Sequence, residues 1–213
     1  MLHQDGTTGF GRSRARAAYN PNTTRTGIDV SYHNGTINWE QVKASGVDFV
    51  IIRCGYGRDE RGQDDRQWYR NVSECERLGI PFGVYLYSYA KDTDSARSEA
   101  QHVLRLISGH NLTYPVYYDM EDDSTIGCDL TSIATTFCNT IKSAGYAVGV
   151  YASLSWWNTY LTAPCFGQWY RWVAQYNSTC KYTGEYAIWQ YSSTGRVSGI
   201  STDVDMNYLI GYP

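Results

Sequence analysis

The residues of this 213-residue chain best suited to chemistry are carboxylates. In Tyr117-Tyr118-Asp119-Met120-Glu121 two acids stand two positions apart at the end of an apolar run. On a strand both would project to one face, with Cα atoms about 6.5–7 Å apart. Acids held that close raise each other's proton affinity, and the one in drier surroundings keeps its proton near neutral pH. A proton donor beside an anion is what cleavage of a glycosidic bond requires. Asp-x-Glu also arises by chance, usually solvated at a strand end, so the pair needs company. Asp29 lies in the otherwise apolar run Gly27-Ile28-Asp29-Val30-Ser31, where an unpartnered carboxylate would be costly to bury. The competing reading of Asp29 is a structural cap or an internal hydrogen bond to a neighbouring strand. Asp203 and Asp205 stand near the other end, in Thr202-Asp203-Val204-Asp205-Met206-Asn207.

Strand-like runs that could position these acids cover Gly27–Ser31, Phe49–Cys54, Phe82–Ala90, Val116–Met120, Ala147–Ala152, Arg171–Gln175, Ala187–Tyr191 and Val204–Asn207. Helical patterns lie between them at Trp39–Ser45, Gln67–Leu78, Thr93–Ser108, Thr131–Ala144 and Leu154–Tyr160. Asp92 suits an N-cap, and Gly79 and Gly145 suit left-handed C-terminal caps. Several strands are near-continuously apolar, as expected when both faces are covered. The pattern predicts an α/β fold: a compact, irregular, TIM-like β/α barrel of eight strands and fewer helices. A doubly wound open sheet is the alternative. In such a barrel chemistry gathers at the C-terminal strand ends. Asp29, Arg53, Tyr56, Tyr87, Asp119 with Glu121, Tyr151, Gln175, Trp189 with Gln190, and Asp205 fall there. If the first and last strands are neighbours, Asp29 and Asp205 meet beside the Asp119/Glu121 pair.

Aromatics make up 15% of the chain, enough to leave rings for a binding surface. Tyr56, Tyr87, Tyr89, Tyr118, Tyr151, Tyr176 and Trp189 could cover the apolar faces of sugar rings. Residues 1–26 hold Arg12, Arg14, Arg16 and Arg25 against Asp5 alone, and read as a polar, disordered or extended arm before a domain at 27–213. The body is acidic without a basic stripe, which argues against a nucleic-acid partner. The apolar runs are too short to cross a bilayer. Six cysteines form no C-x-x-C pair; Cys165–Cys180 is the first candidate disulfide and Cys128–Cys138 the second, with buried free thiols about equally weighted. The four histidines have no metal-like spacing. No serine-hydrolase elbow, phosphate loop or zinc-peptidase motif occurs, and no metal or cofactor is called for.

These runs together resemble the start of the family 25 glycoside hydrolases, the Chalaropsis-type lysozymes: Gly27-Ile28-Asp29-Val30-Ser31-Tyr32-His33, then Ile37-Asn38-Trp39 and Phe49–Gly57. Gly83-Val84-Tyr85 to Tyr89, Asp119-x-Glu121, Gly149-Val150-Tyr151, Trp189-Gln190-Tyr191-Ser192-Ser193 and Val204-Asp205-x-Asn207 continue in that family's order. The resemblance covers about residues 27–212. It implies an irregular β/α barrel hydrolysing the β-1,4 bond between N-acetylmuramic acid and N-acetylglucosamine of peptidoglycan, acting outside the cell or at the wall. It places Glu121 as general acid, with Asp119, Asp29 and Asp205 as supporting carboxylates. Tyr151, Arg53, Tyr56, Tyr87, Trp189, Gln190, Tyr118 and Asp203 are the expected substrate contacts. Asp119 would orient the substrate's 2-acetamido group or act as a direct nucleophile, or else Asp119 or Asp205 would activate a water on the opposite face; the resemblance favours the first. A chitinase-like glycosidase is disfavoured because Tyr117 stands where such enzymes carry an Asp. A non-catalytic glycan-binding module is disfavoured by the intact pair. A monomer is the default expectation.

Overall fold

A computed structural model describes residues 25–211. Eight strands close into one barrel in chain order: β1 (Arg25–Val30), β2 (Phe49–Tyr56), β3 (Phe82–Tyr87), β4 (Val116–Asp119), β5 (Val148–Ser153), β6 (Tyr170–Ala174), β7 (Ile188–Gly195) and β8 (Val204–Leu209). Helices α1 (Trp39–Ala44), α2 (Trp68–Leu78), α3 (Thr93–Ile107), α4 (Leu130–Ser143) and α5 (Leu154–Thr159) fill the first five connections. Beyond β6 the described residues carry only strands and loops. The β1–β8 pairing closes the sheet and excludes the open alternative. β1 to β7 run parallel, whereas β8 runs antiparallel to both neighbours.

Alternation along each strand builds two layers. Ile28, Val50, Ile52, Val84, Val116 and Val150 pack outward under the helices. Phe49, Ile51, Tyr117, Trp172, Ile188 and Leu209 fill the barrel itself. Full burial of each such side chain contributes about 1.5–3 kcal/mol. Gly149 makes room for the inner layer: a Cβ there would stand 2.5 Å from the Tyr117 ring.

The caps follow the sequence. The Asp92 side chain accepts from the Ser95 N–H at 2.7 Å and opens α3, whose Ala96, Ala100, Val103 and Ile107 form the buried stripe. Gly79 ends α2 at φ 66°, and Gly145 follows α4 at φ 91°. The barrel begins at Arg25, two residues before the expected boundary; the remainder of the expected arm lies outside the described residues.

The expected disulfides are not formed: all six cysteines are free thiols. Cys138 is buried on α4, and Cys128 precedes that helix by two residues. Eight helical residues put roughly 12 Å between Leu130 and Cys138, beyond a disulfide's reach of about 7 Å. Cys165 lies near Cys138, and the Cys180 thiol meets the Tyr186 hydroxyl.

Candidate active site

At one end of the barrel the inward residues change from apolar to polar. In the β1–β8 ladder Asp29 stands opposite Asp205. Asp119 ends β4 with Tyr87 on one side and Tyr151 on the other. Glu121 lies two residues past the strand, where its Oε2 accepts from the Ser153 N–H at 3.0 Å. Because β8 is reversed, Asp205 reaches this rim from the N-terminal part of its strand, whereas the other acids sit at C-terminal ends.

Amides and rings beneath the acids fix their positions. Gln190 and Asn207 form a cross-strand pair, and both side-chain amides donate to Asp29 Oδ2, at 2.9 and 2.8 Å. Gln190 Oε1 accepts from the hydroxyls of Tyr151 and Tyr176, each at 3.0 Å. Asn207 Oδ1 accepts from the Trp172 indole at 2.8 Å. Trp172 touches the rings of Tyr85, Tyr117 and Tyr151 and forms the floor.

All four acids hold their protons more tightly than free carboxylates. Burial pushes Asp29 up to about 8, with the Asp205 charge adding to it and the Asn207 and Gln190 amides opposing it. Asp119 is pushed well above the carboxylate range by burial, then by Glu121 and Asp29. Its Oδ1 is buried without a hydrogen-bond partner among the described residues. Burial also raises Glu121, against the Ser153 hydrogen bonds and with help from Asp123 and Asp205. Asp205, half-buried, is pushed by burial up to about 6. The two facing acids titrate together, so the pair retains a proton at pH values where isolated carboxylates would both be ionised. The arrangement can deliver a proton from one acid and place an unpartnered carboxyl oxygen against a bound group.

The other expected contacts divide. Tyr151 and Gln190 belong to the site. Arg53, Tyr56 and Tyr87 stand at its rim, with Tyr32, Tyr89 and Arg66, around a hollow of about 670 Å³. The Tyr87 hydroxyl donates to Asp122 Oδ2 at 3.2 Å, and the Tyr56 ring meets Tyr89 edge-on. Tyr118 is not a cleft residue. Its neighbours Tyr117 and Asp119 face inward, so it points under the helices, stacks on Phe137 at 3.8 Å and bonds to Ser88 and Glu99. Trp189 likewise lies on the outer face, against Tyr191 and Tyr208, because its neighbour Gln190 points in. Asp203 precedes β8 and pairs with Arg196 at 2.7 Å on the surface. Tyr85, Trp172 and Asn207 went unread as site residues. Counting by twos from Asp205 reaches Asn207, but nothing local to Tyr85 or Trp172 marks them. A second hollow, of about 700 Å³, opens at the opposite end beside Tyr146, Tyr170 and Arg171, away from the acids. Among the described residues no group of three His, Cys, Asp or Glu is disposed to hold a metal ion.

Residues 28–200 match the model of glycosyl hydrolases family 25. Lysozyme M1 of Streptomyces globisporus is 31% identical over 208 residues, covering 87% of this chain and 67% of that protein. The modular autolysin LytC of Streptococcus pneumoniae, solved with a synthetic peptidoglycan ligand, superposes with a TM-score of 0.79 at 34% identity. That match covers 87% of this chain but only 46% of the autolysin. The bacterial lysozyme of Streptomyces coelicolor superposes with a TM-score of 0.71 at 28% identity, covering 89% of this chain and 94% of that one. With the barrel, its reversed last strand and the clustered acids, these matches establish that the chain belongs to the family 25 glycoside hydrolases.

Proposed function

We propose that the protein is a lysozyme of the N-acetylmuramidase type, cutting the β-1,4 bond between N-acetylmuramic acid and N-acetylglucosamine at the bacterial wall. The observation that carries this is the Asp119/Glu121 pair, both raised in proton affinity on a rim that Asp29 and Asp205 share. Glu121, protonated, donates to the departing glycosidic oxygen. Asp119 Oδ1, buried and unpartnered, accepts the N–H of the 2-acetamido group and turns its carbonyl oxygen toward the anomeric carbon. As positive charge develops on that group, it favours the ionised form of Asp119. Asp29, clamped by Gln190 and Asn207, holds the Asp119 side of the cleft. The names of the similar lysozymes and the ligand of the pneumococcal autolysin support the same substrate.

The test is digestion of purified cell walls by the protein and its Glu121→Gln variant, followed by identification of the new reducing ends. Muramic acid ends released only by the unmodified protein are expected. Glucosamine ends, or chitin digested in preference to walls, would replace this reading with another glycosidase. Release by neither protein would indicate a glycan-binding module.

A further inference from the structure

Arg53 is held in a way the proposed reaction does not use. It is nine-tenths buried within β2, and its Nε–H donates to Asp65 Oδ2 at 2.8 Å. Asp65 is itself fixed, accepting from the backbone N–H groups of Tyr32 and Gln67 at 3.0 and 2.9 Å. A guanidinium carries five N–H donors in a rigid fork, and here Nη2 is buried with no acceptor among the described residues. The Arg53 guanidinium lies 4.8 Å from the centre of the Tyr32 ring, and that of Arg66 lies 4.3 Å from it. Both side chains line the hollow of about 670 Å³ beside the acids.

The charge balance of this hollow differs from that of the floor next to it. Asp64, the acid on its wall, is already bonded to His102 and Arg105. Arg66 is exposed and forms no ion pair among the described residues. The remaining lining is His33, Gly62 and the rings of Tyr56, Tyr87 and Tyr89. A planar fork with donors to spare, a second cation and three rings suit an anion carried on a sugar. A neutral sugar polymer would offer these guanidiniums hydroxyl and amide oxygens but no negative charge to meet them.

We propose that this hollow is a carboxylate subsite, in which Arg53 and Arg66 receive a carboxylate attached to the glycan while the tyrosines cover its sugar. This deepens the muramidase reading and rests on it. The carboxylate has two chemical sources: the lactyl group of a muramyl residue without peptide, or the peptide that occupies that lactyl group by an amide bond. The subsite thus distinguishes an acidic wall glycan from neutral chitin.

Binding is measured on the Glu121→Gln protein, so that ligands stay intact, and on the same protein carrying Arg66→Gln or Arg53→Gln. The ligands are a peptide-free muramyl tetrasaccharide, its lactyl methyl amide, a peptide-bearing tetrasaccharide and chitotetraose. The starting protein is expected to prefer the charged ligands, and each arginine variant to lower their affinity relative to chitotetraose by about five- to tenfold. Sensitivity of the methyl amide pair assigns the lactyl source, and sensitivity of the peptide-bearing ligand alone assigns the peptide. Equal losses on charged and neutral ligands, no loss on either, or no preference in the starting protein overturns the subsite. Arg66→Gln, at an exposed position, keeps the test decisive if Arg53→Gln does not fold. Cleavage of the tetrasaccharide by the Glu121→Gln protein would instead strike the assignment of Glu121, leaving the arginine comparison readable.

Discussion

Asp64 and Asp119 are both aspartates drawn out of water at the same rim of the barrel, yet their proton affinities move in opposite directions. Burial alone pushes Asp64 up, but hydrogen bonds from Arg105, at 2.6 and 3.1 Å, and from His102, at 2.8 Å, hold it below the usual range. Asp119 receives no comparable cation. Arg53 is the basic neighbour that lowers it, and its guanidinium bonds to Asp65. The groups that act on Asp119 most strongly after burial are instead other acids, and it ends well above the range. The same residue type is thus a structural anchor where the fold supplies cations, and a proton store where it supplies acids.

The largest expected effect separates these roles at Glu121. Glu121→Gln should lower kcat on cell walls by about 10³-fold, within the span of general-acid contributions. Its melting temperature should stay level or rise, since a buried acid held above its ordinary proton affinity is not stabilised in its charged form. A variant that loses activity and stability in parallel would place Glu121 with the structural acids.

Asp29 sharpens the comparison through pH. Folding raises its proton affinity to about 8 from an ordinary 3.8, so between those values the folded state binds the proton and the unfolded chain does not. Stability from this group is therefore complete below about 4 and is lost as pH climbs toward 8, on the order of 1 kcal/mol per pH unit. Asp29→Asn, whose carbonyl oxygen can still accept from Gln190 and Asn207, removes that dependence. The variant's thermal stability, measured against the unmodified protein, should gain steadily from pH 5 to pH 8. A constant difference would mean that Asp29 is ionised throughout.

Asp64 should answer the other way. Asp64→Asn leaves Arg105 and His102 facing a neutral group, and a loss of about 1–2 kcal/mol is expected, or roughly 2–4 °C per kcal/mol for a chain this size. Activity should fall by less than about tenfold, because the carboxylate anchors the loop after β2 and lies outside the reacting set. Thermal unfolding and wall digestion on the same preparations check both halves. A collapse of kcat with unchanged melting would reverse the assignment.

How much of this division could be read in the chain depends on distance along it. Helix limits, the Asp92 cap and the glycine stops were legible because a helix reports its own periodicity and ends locally. The four acids were legible as a set once barrel closure was assumed, since closure brings β1 beside β8. The direction of β8 was not legible: parallel and antiparallel strands share the period of two, and only the short β7–β8 connection hinted at a hairpin. The facing of Tyr118 and Trp189 was decided by that same period, counted from Asp119 and Gln190, and aromatic character drew attention away from it. The hydrogen bonds that tame Asp64 join residues 38 and 41 positions apart, and no local pattern announces them.

Tyr176 gives the smallest and most local test. Its ring is 58% exposed, yet its hydroxyl shares Gln190 Oε1 with Tyr151, whose ring is 7% exposed. An acceptor with two donors keeps one when the other is removed, so Gln190 should remain oriented toward Asp29 in Tyr176→Phe. The stability change should stay below about 0.5 kcal/mol, the range of exposed substitutions. Tyr151→Phe removes the buried donor and should cost more, about 1 kcal/mol. If Tyr176→Phe is the more damaging of the two in melting experiments, the exposed hydroxyl, rather than the buried one, is what holds the amide beneath the acids.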